Sequence, residues 1–196
     1  MPRIGNGRGV RAQRRREAVA FDAVFEREFG PLHRYIRRRV GSDLADELAA
    51  ETFTIALTSW RSRREQEVRP WLYGIATNQL RHHWRREERR LRAYARWGAA
   101  ATGIDDPADA VLGRLDAQSQ ERVLASALSR LSRELRETVL LLAWAELTEG
   151  EIAAALGLPA GTVKSRLHRA RAQLRRALHS GDEGVELSLV EEDVCP

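Results

Sequence analysis

The segment from residue 147 to residue 171, LTEGEIAAALGLPAGTVKSRLHRAR, constrains the fold of this chain more than any other part of it. Thr148 is followed three residues later by Glu151, and this capping box predicts that a helix begins here. Gly157 can adopt the left-handed conformation that ends a helix, and Pro159 prevents the helix from continuing. Two short helices joined by a tight glycine-containing turn predict a helix-turn-helix, which places its second helix in the major groove of DNA.

The second of these helices has two distinct faces at roughly 100° per residue. One stripe is apolar and is predicted to face the core: Val163, Leu167, Ala170 and Leu174. The opposite face is mostly polar or basic and consists of Ser165, His168, Arg169, Ala172 and Arg176, with Lys164 and Arg175 at its edge. No acidic residue occurs between Ala160 and His179. An ordinary amphipathic helix with solvated charges is the plainer interpretation, but the capping box, the turn and the one-sided charge favour DNA contact.

Helical patterning covers most of the chain, and no segment alternates β-branched residues with a period of two, so the predicted fold class is all-α. We expect breaks in the first helical segment near Gly30-Pro31, Gly41-Ser42 and Arg61–Val68. The predicted organisation is two small helical domains joined by a flexible linker and flanked by charged ends. The parts are a disordered basic arm (1–17), a first domain (18–97), the linker (98–115), a second domain with the helix-turn-helix (116–179) and an acidic tail (180–196).

Arginine supplies nearly all of the positive charge in this 196-residue chain, whose formal net charge is +5, because Lys164 is the only lysine. The fixed charge and forked donors of arginine suit contacts with phosphate, although a GC-rich genome would also raise the arginine content. The single cysteine, Cys195, excludes an internal disulfide and a cysteine-cluster metal site. No apolar run approaches the roughly 20 residues that span a bilayer, and no signal peptide follows the basic start, so we expect a cytoplasmic protein without membrane insertion.

Signatures of catalysis are absent from the sequence. It contains no phosphate-binding glycine loop, no metal-ligand cluster and no pairing of a nucleophile with a base. His82 and His83 are adjacent, so they point in different directions on a helix and make a poor metal pair. We therefore expect a protein that is not an enzyme and that uses no cofactor and no metal.

Two parts of the chain resemble the extracytoplasmic-function (ECF, group IV) sigma factors of bacterial RNA polymerase, which belong to the sigma-70 family. LSRLSRELRETVLLL followed by EIAAALGLPAGTVKSRLHRARAQLRRAL resembles their promoter-reading domain, and GTVKSRLHRAR is close to the typical family pattern. DELAAETF and RPWLYGIATNQL resemble their core-binding and melting segments, in the family's order. The resemblance implies that the first domain binds core polymerase and opens the −10 element, while the second reads the −35 element. The implied partners are the clamp coiled coil and flap of core RNA polymerase, promoter DNA as duplex and single strand, and an anti-sigma factor, which is a common partner in the family.

The resemblance also implies which residues contact the promoter. The candidates for the −35 element are Thr162, Lys164, Ser165, Arg166, His168, Arg169 and Arg171. The candidates for the −10 element are Asn78, Arg81, His82, Arg85 and Arg86. Asn78 would read an unstacked base, because an amide both donates and accepts hydrogen bonds; an asparagine that only caps a helix is the simpler alternative. The basic residues and rings after it suit single-stranded DNA, although Trp84 fits the core better than a stacking role.

A helix over residues 46–60 is predicted to dock on the polymerase. Its core stripe is Ala49, Phe53, Ala56 and Trp60, and the family places its clamp contact on this helix. The candidate docking residues lie on another face and are Glu47, Ala50, Glu51, Thr54, Leu57 and Thr58. A solvated acidic face is the alternative. The family usually has Gln in place of Ala50, so one polar contact with the polymerase is expected to be weaker. It often has Arg in place of Gly74 and Thr77, so the contact with phosphate is expected to be weaker there.

Two other functions remain open at this point. A dimeric helix-turn-helix repressor, or a response-regulator output domain, would explain the C-terminal half but not DELAAETF or WLYGIATN. A helical adaptor that binds only proteins would leave the arginines as solubilising charges. Strong salt dependence of DNA affinity would favour either DNA-binding function over the adaptor.

Overall fold

The computed structural model describes residues 7–63, 66–96 and 119–186, with side chains described from 19 to 63, 66 to 90 and 123 to 178. Within these ranges the chain forms seven helices and no strand, which confirms the predicted all-α class. The helices are α1 (Gly7–Val40), α2 (Ser42–Thr58), α3 (Val68–Arg96), α4 (Ser119–Ser129), α5 (Arg133–Ala143), α6 (Glu149–Leu156) and α7 (Ala160–Glu186).

Two of the three expected breaks in the first helical segment are confirmed. Gly41 separates α1 from α2 with a φ of 82°, and α2 ends at Thr58, ten residues before α3 begins at Val68. The expected break at Gly30-Pro31 is wrong, because α1 runs through Pro31 without interruption. Proline costs this helix one backbone hydrogen bond, and the complete burial of Leu32 and Ile36 just beyond it holds the helix together.

The charged ends differ from the predicted arm and tail. Helix α1 begins at Gly7, so the expectation of disorder over 1–17 is wrong for residues 7–17. This segment consists largely of good helix formers, which extend a helix already anchored by packing further along. Helix α7 likewise continues to Glu186, so residues 180–186 of the expected tail are helical. The predicted linker over 98–115, together with residues 1–6 and 187–196, lies outside the described residues.

Helices α1, α2 and α3 pack around a largely aliphatic and aromatic core. The predicted stripe of α2 is confirmed, because Ala49, Phe53 and Ala56 are all buried, while Trp60 lies just beyond the helix and packs against the same core. The ring of Phe21 on α1 meets that of Trp60 edge to face, with 5.2 Å between the centroids. This N-terminal half leaves one face of α2 and one side of α3 available for other contacts.

The C-terminal half contains the predicted helix-turn-helix. In the capping box of α6, the Thr148 side chain accepts from the Glu151 backbone N–H at 3.2 Å, and the Glu151 carboxylate accepts from the Thr148 backbone N–H at 2.8 Å. Gly157 ends α6 in the left-handed conformation, with φ 63° and ψ 37°. Helix α7 begins directly after Pro159. The local signals in the sequence therefore predict this motif correctly.

The two halves pack against each other and share one hydrophobic core. Leu141, Ile152 and Leu167 of the C-terminal half belong to the same buried cluster as the core of α1, α2 and α3. The contact is made chiefly where α3 crosses α6. We call this contact between α3 and the C-terminal half the seam. It brings α6, the first helix of the helix-turn-helix, against the helix that carries Asn78.

Two glycines of the helix-turn-helix should respond oppositely to alanine. Gly157→Ala places a Cβ at φ 63° and should lower the free energy of unfolding by about 1–2 kcal/mol. Gly161→Ala has open space around the added Cβ and a helical backbone, so it should raise that free energy by up to about 1 kcal/mol. Urea unfolding of both variants measures the difference. Equal effects of the two changes would mean that the left-handed cap does not restrain the turn.

Candidate nucleic-acid and docking surfaces

Helix α7 presents the predicted basic face to solvent. Val163, Leu167 and Ala170 are completely buried, which confirms the predicted orientation of the helix. Of the seven −35 candidates, five are exposed, namely Lys164, Ser165, His168, Arg169 and Arg171, while Thr162 and Arg166 are half-buried. The guanidinium of Arg169 lies along its own helix, with Nε 3.4 Å from the carbonyl oxygen of Ser165. This face is open to a large partner such as duplex DNA.

The capping box fixes the N-terminus of α6 through an ionised carboxylate. The backbone hydrogen bond from Thr148 lowers the pKa of Glu151 below its usual value. A lowered folded-state pKa means that this contact stabilises the helix above the unfolded-state pKa of the carboxyl. The contribution is lost as the pH falls through the lower, folded-state pKa. At neutral pH the helix-turn-helix therefore keeps this restraint.

The −10 candidates lie along one side of α3, since Asn78, His82 and Arg85 are spaced i, i+4 and i+7, but their surroundings differ. Asn78 and Arg81 lie on the seam, on the same side as Gly74. His82, Arg85 and Arg86 are exposed and are not part of the residues that line the seam. Trp84 is buried in the core, as the sequence predicts. Its neighbour His83 packs edge to face against it, and burial lowers the pKa of the His83 imidazole.

Asn78 borders a cleft of about 750 Å³ between α3 and α6. Trp71 and Ile75 form part of its α3 wall, while Thr148, Glu151 and the backbone around Ala155 form part of the opposite wall. Trp71 and Ile75 are both half-buried. The fully buried face of α3 instead carries Leu72, Tyr73 and Ala76. Trp71 and Ile75 lie toward the C-terminal half, which the sequence does not place against this helix.

Arg81 forms a bidentate ion pair across the seam. Its Nε lies 3.0 Å from Oε1 of Glu137, and its Nη2 donates to the other carboxylate oxygen. Glu137 on α5 is 3% exposed, so its charge is neutralised in a dry environment. Arg133 adds a hydrogen bond of 3.2 Å from its Nη2 to the carbonyl oxygen of Arg81. In this arrangement the Arg81 guanidinium is held by the C-terminal half.

Gly74 lies at the closest approach of α3 and α6. A Cβ placed there would lie 2.6 Å from the carbonyl oxygen of Ala155, which is backbone and cannot move aside like a side chain. From the sequence, Gly74 is expected only to weaken a contact with phosphate, since the family often has arginine there. The structure shows a positive reason for glycine, because no other residue permits this crossing without a shift. Glu137 and Ala155 have no signal in the sequence that would pair them with α3.

The candidate docking face of α2 is accessible along its whole length. Glu47, Ala50, Glu51, Thr54, Leu57 and Thr58 are all exposed. Leu57 is 55% exposed, which is unusual for a large apolar side chain on a helix whose other face is buried. Two carboxylates and one exposed leucine on the same face suit a protein partner with basic and apolar contacts.

Within 7–63, 66–96 and 119–186, no group of three or more His, Cys, Asp or Glu side chains could hold a metal ion. In the same part of the chain, no helix combines the length and apolar character that crossing a bilayer requires.

Family models and curated relatives agree on the protein family that this chain resembles. The family model "Sigma-70 region 2" matches residues 24–90, and "Sigma-70, region 4" matches residues 121–174. The RNA polymerase sigma factor CarQ of Myxococcus xanthus is 34% identical over 162 residues, which cover 81% of this chain and 89% of CarQ. The ECF RNA polymerase sigma factor SigL of Mycobacterium tuberculosis is 27% identical over 83% of this chain and 90% of SigL. The chain belongs to the sigma-70 family, in its ECF group.

Other similarities to sigma factors are shorter or lie in the fold alone. The RNA polymerase sigma-E factor of Streptomyces avermitilis is 48% identical over 60 residues, which cover 31% of this chain and only 34% of that protein. A solved structure of the sigma factor RpoE with the anti-sigma factor NepR, from Bartonella quintana, has a TM-score of 0.60 at 21% identity, covering 82% of this chain and 97% of that chain. In this sigma-70 family member, region 2 thus corresponds to α1, α2 and α3 and region 4 to α4, α5, α6 and α7.

Gly74→Ala should separate region 2 from region 4 without unfolding either. The added Cβ meets the backbone of Ala155, while alanine in a helix interior stabilises α3 itself by about 0.5–1 kcal/mol. Small-angle X-ray scattering should give a larger radius of gyration than for the unchanged protein, with the same helical circular dichroism. Gly150→Ala on α6 is the matched control, since a Cβ there meets nothing within 4 Å. A radius of gyration unchanged by Gly74→Ala would contradict the importance of this contact.

Proposed function

We propose that this chain is a promoter-specificity subunit that binds core RNA polymerase and directs transcription initiation. In this proposal the domain of residues 18–97 binds the polymerase clamp coiled coil and opens the −10 element. The domain of residues 116–179 binds the polymerase flap and reads the −35 element. The protein itself is not an enzyme and uses no cofactor or metal, and it acts in the cytoplasm, where its polymerase is.

The exposed face of α7 carries the proposal. Its core side is anchored by completely buried residues, so the positions of Ser165, His168 and Arg169 are fixed relative to the domain. The absence of carboxylates from residue 160 to residue 179 leaves the face attractive to phosphate along its whole length. Arginine and histidine at its centre can donate to base edges in the major groove, and the lysine at its edge can contact the backbone.

Two groups of residues on α3 suit two contacts with a melted −10 element. His82, Arg85 and Arg86 are exposed and can follow the phosphates of a single strand. Asn78 borders the cleft with Trp71 and Ile75, where an amide and a ring could receive an unstacked base. Thr77 is buried and Gly74 has no side chain, so these positions add no phosphate contact in this member of the family.

Promoter opening requires the seam to separate. Arg81 can contact DNA only after leaving Glu137, and the wall opposite Asn78 is formed by α6. A polymerase that holds the two domains at separate sites would supply the free energy for this separation. An anti-sigma factor that binds the two domains while they are packed together would instead oppose their separation. The free chain is therefore expected to bind promoter duplex weakly.

Reconstitution with core RNA polymerase tests the proposed function directly. The chain should direct the polymerase to a defined set of start sites, which sequencing of transcript 5′ ends would reveal as a shared upstream motif. Random start sites would contradict the proposal. Tight, sequence-specific binding of duplex DNA by the free protein as a dimer would favour a repressor instead.

Leu57→Asp should weaken binding to core polymerase by about tenfold or more, because it places a charge where the exposed leucine of the docking face would make an apolar contact. Leu57 is 55% exposed, so the domain should keep its circular dichroism and thermal unfolding temperature. Val19→Asp is the matched control, since Val19 is 62% exposed on α1 and outside the docking face. Fluorescence anisotropy with labelled protein measures both affinities. Equal losses in the two variants, or unfolding by Leu57→Asp, would show that the docking face is wrongly assigned.

Arg169→Ala and Lys164→Ala should change promoter binding in different ways. Loss of a base-reading arginine should cost about 1–3 kcal/mol and relax the preference at one position of the −35 element. Loss of a contact between Lys164 and the DNA phosphates should weaken binding to all DNA sequences alike and reduce the dependence of the affinity on salt. Selection of preferred −35 sequences by the polymerase complex of each variant distinguishes the two. Unchanged preferences with Arg169→Ala would remove this residue from the readout.

A further inference from the structure

A second and smaller cleft lies between the two halves, apart from Asn78 and α6. Its volume is about 170 Å³. From the N-terminal half, Arg34 and Arg38 of α1 line it together with Arg69 and Tyr73 of α3. The loop between α5 and α6 closes it from the C-terminal half with Trp144 and Glu146. None of these residues belongs to the proposed promoter or polymerase contacts.

The cleft carries an excess of positive charge. Three guanidinium groups line it against the single carboxylate of Glu146. Among the described residues, neither Arg34 nor Arg38 has an ion-pair partner, and Arg38 lies over the ring of Trp144 at 5.9 Å from its centroid. A further carboxylate, Glu28, lies 4.0 Å from Arg69 Nε but is already paired with Arg27 at 2.8 Å. The local charge therefore favours an anion.

One buried donor at this cleft lacks a hydrogen-bond partner among the described residues. It is the hydroxyl of Tyr73, whose side chain is almost completely buried; the Nε of Arg69 also makes no hydrogen bond, but it faces the Glu28 carboxylate at 4.0 Å. Arg69 uses Nη2 to donate to the carbonyl oxygen of Ala145 at 2.8 Å, so its guanidinium is held in place across the seam. Burial raises the pKa of Tyr73 to about 12, against the opposing charge of Arg69. The Tyr73 hydroxyl therefore remains protonated and can donate.

We propose that this cleft binds a phosphate group, either free inorganic phosphate or the phosphate of a nucleotide. Arginine forks match the geometry of phosphate oxygens, and a tetrahedral oxyanion can accept from several donors at once. The volume is several times the roughly 30 Å³ that a water molecule occupies in the liquid, so a phosphate group fits. Because both halves line the cleft, the bound anion stabilises their packed arrangement. The site does not depend on the proposed promoter function.

Titration of the full chain with inorganic phosphate, at constant pH and constant ionic strength, tests the site. The thermal unfolding temperature should rise by about 3–5 °C when phosphate reaches ten times its Kd. The indole N–H resonance of Trp144 should shift along the same titration curve. Adenosine monophosphate is the second ligand: tighter binding than phosphate would identify a nucleotide as the source, and equal or weaker binding would identify the free ion.

Three variants distinguish phosphate binding in the cleft from nonspecific attraction of phosphate to the arginines. Arg38→Gln should weaken phosphate binding by about tenfold or more, because it removes a charged donor. Arg37→Gln is the matched control, since Arg37 is the exposed neighbour on α1 outside the cleft, and it should leave the affinity unchanged. Tyr73→Phe should weaken phosphate binding while leaving the unfolding temperature without phosphate unchanged or higher, since it removes an unpartnered hydroxyl.

Three outcomes would overturn the proposal. One is an unfolding temperature that does not change with phosphate at constant ionic strength. Another is an equal loss of affinity in Arg37→Gln and Arg38→Gln, which would indicate diffuse attraction to the arginine-rich helix. The third is binding of a single-stranded oligonucleotide that depends on Arg38 while phosphate itself does not bind, which would assign the cleft to DNA.

Discussion

The close crossing of α3 and α6 at Gly74 is the contact on which the arrangement of the two domains depends. With no side chain at this position, the two helix backbones meet, and a Cβ would lie 2.6 Å from the Ala155 carbonyl oxygen. The same crossing brings Arg81 to Glu137 and Arg69 to the carbonyl oxygen of Ala145. The face of α3 that carries Asn78 therefore contacts region 4 in this structure, and in the proposed function the same face contacts the promoter.

The ion pair of half-buried Arg81 and buried Glu137 matters to the seam chiefly when one partner is removed. Removing one partner of such a pair costs about 3–5 kcal/mol, because the other charge is left buried, whereas the intact pair adds little over apolar packing. A partner that opens the seam must also let water reach Glu137, which is 3% exposed in the packed arrangement. Partners that bind either arrangement preferentially can therefore shift the equilibrium between them.

Local signals explain which features the sequence predicts correctly. The capping box at Thr148, the left-handed turn at Gly157 and the apolar stripe of α7 are each formed by residues close in the chain, and all three are confirmed. Pro31 is a local signal that packing overrides, since α1 continues through it. The seam joins residues far apart in sequence, such as Arg81 and Glu137, and no periodicity reveals such a pair. The glycine at position 74, where the family often has arginine, is a feature of the sequence that the seam explains.

The distance between the two domains, with and without polymerase, tests this account most directly. Spin labels at Asp22→Cys on α1 and Gln173→Cys on α7, with the single native cysteine removed by Cys195→Ser, avoid every proposed contact. Pulsed electron–electron double resonance should give a narrow distribution at a short distance between the labels for the free protein. The distance should become longer after core RNA polymerase is added. An unchanged distance in a complex that initiates transcription would contradict the account, because the seam would then be compatible with promoter opening.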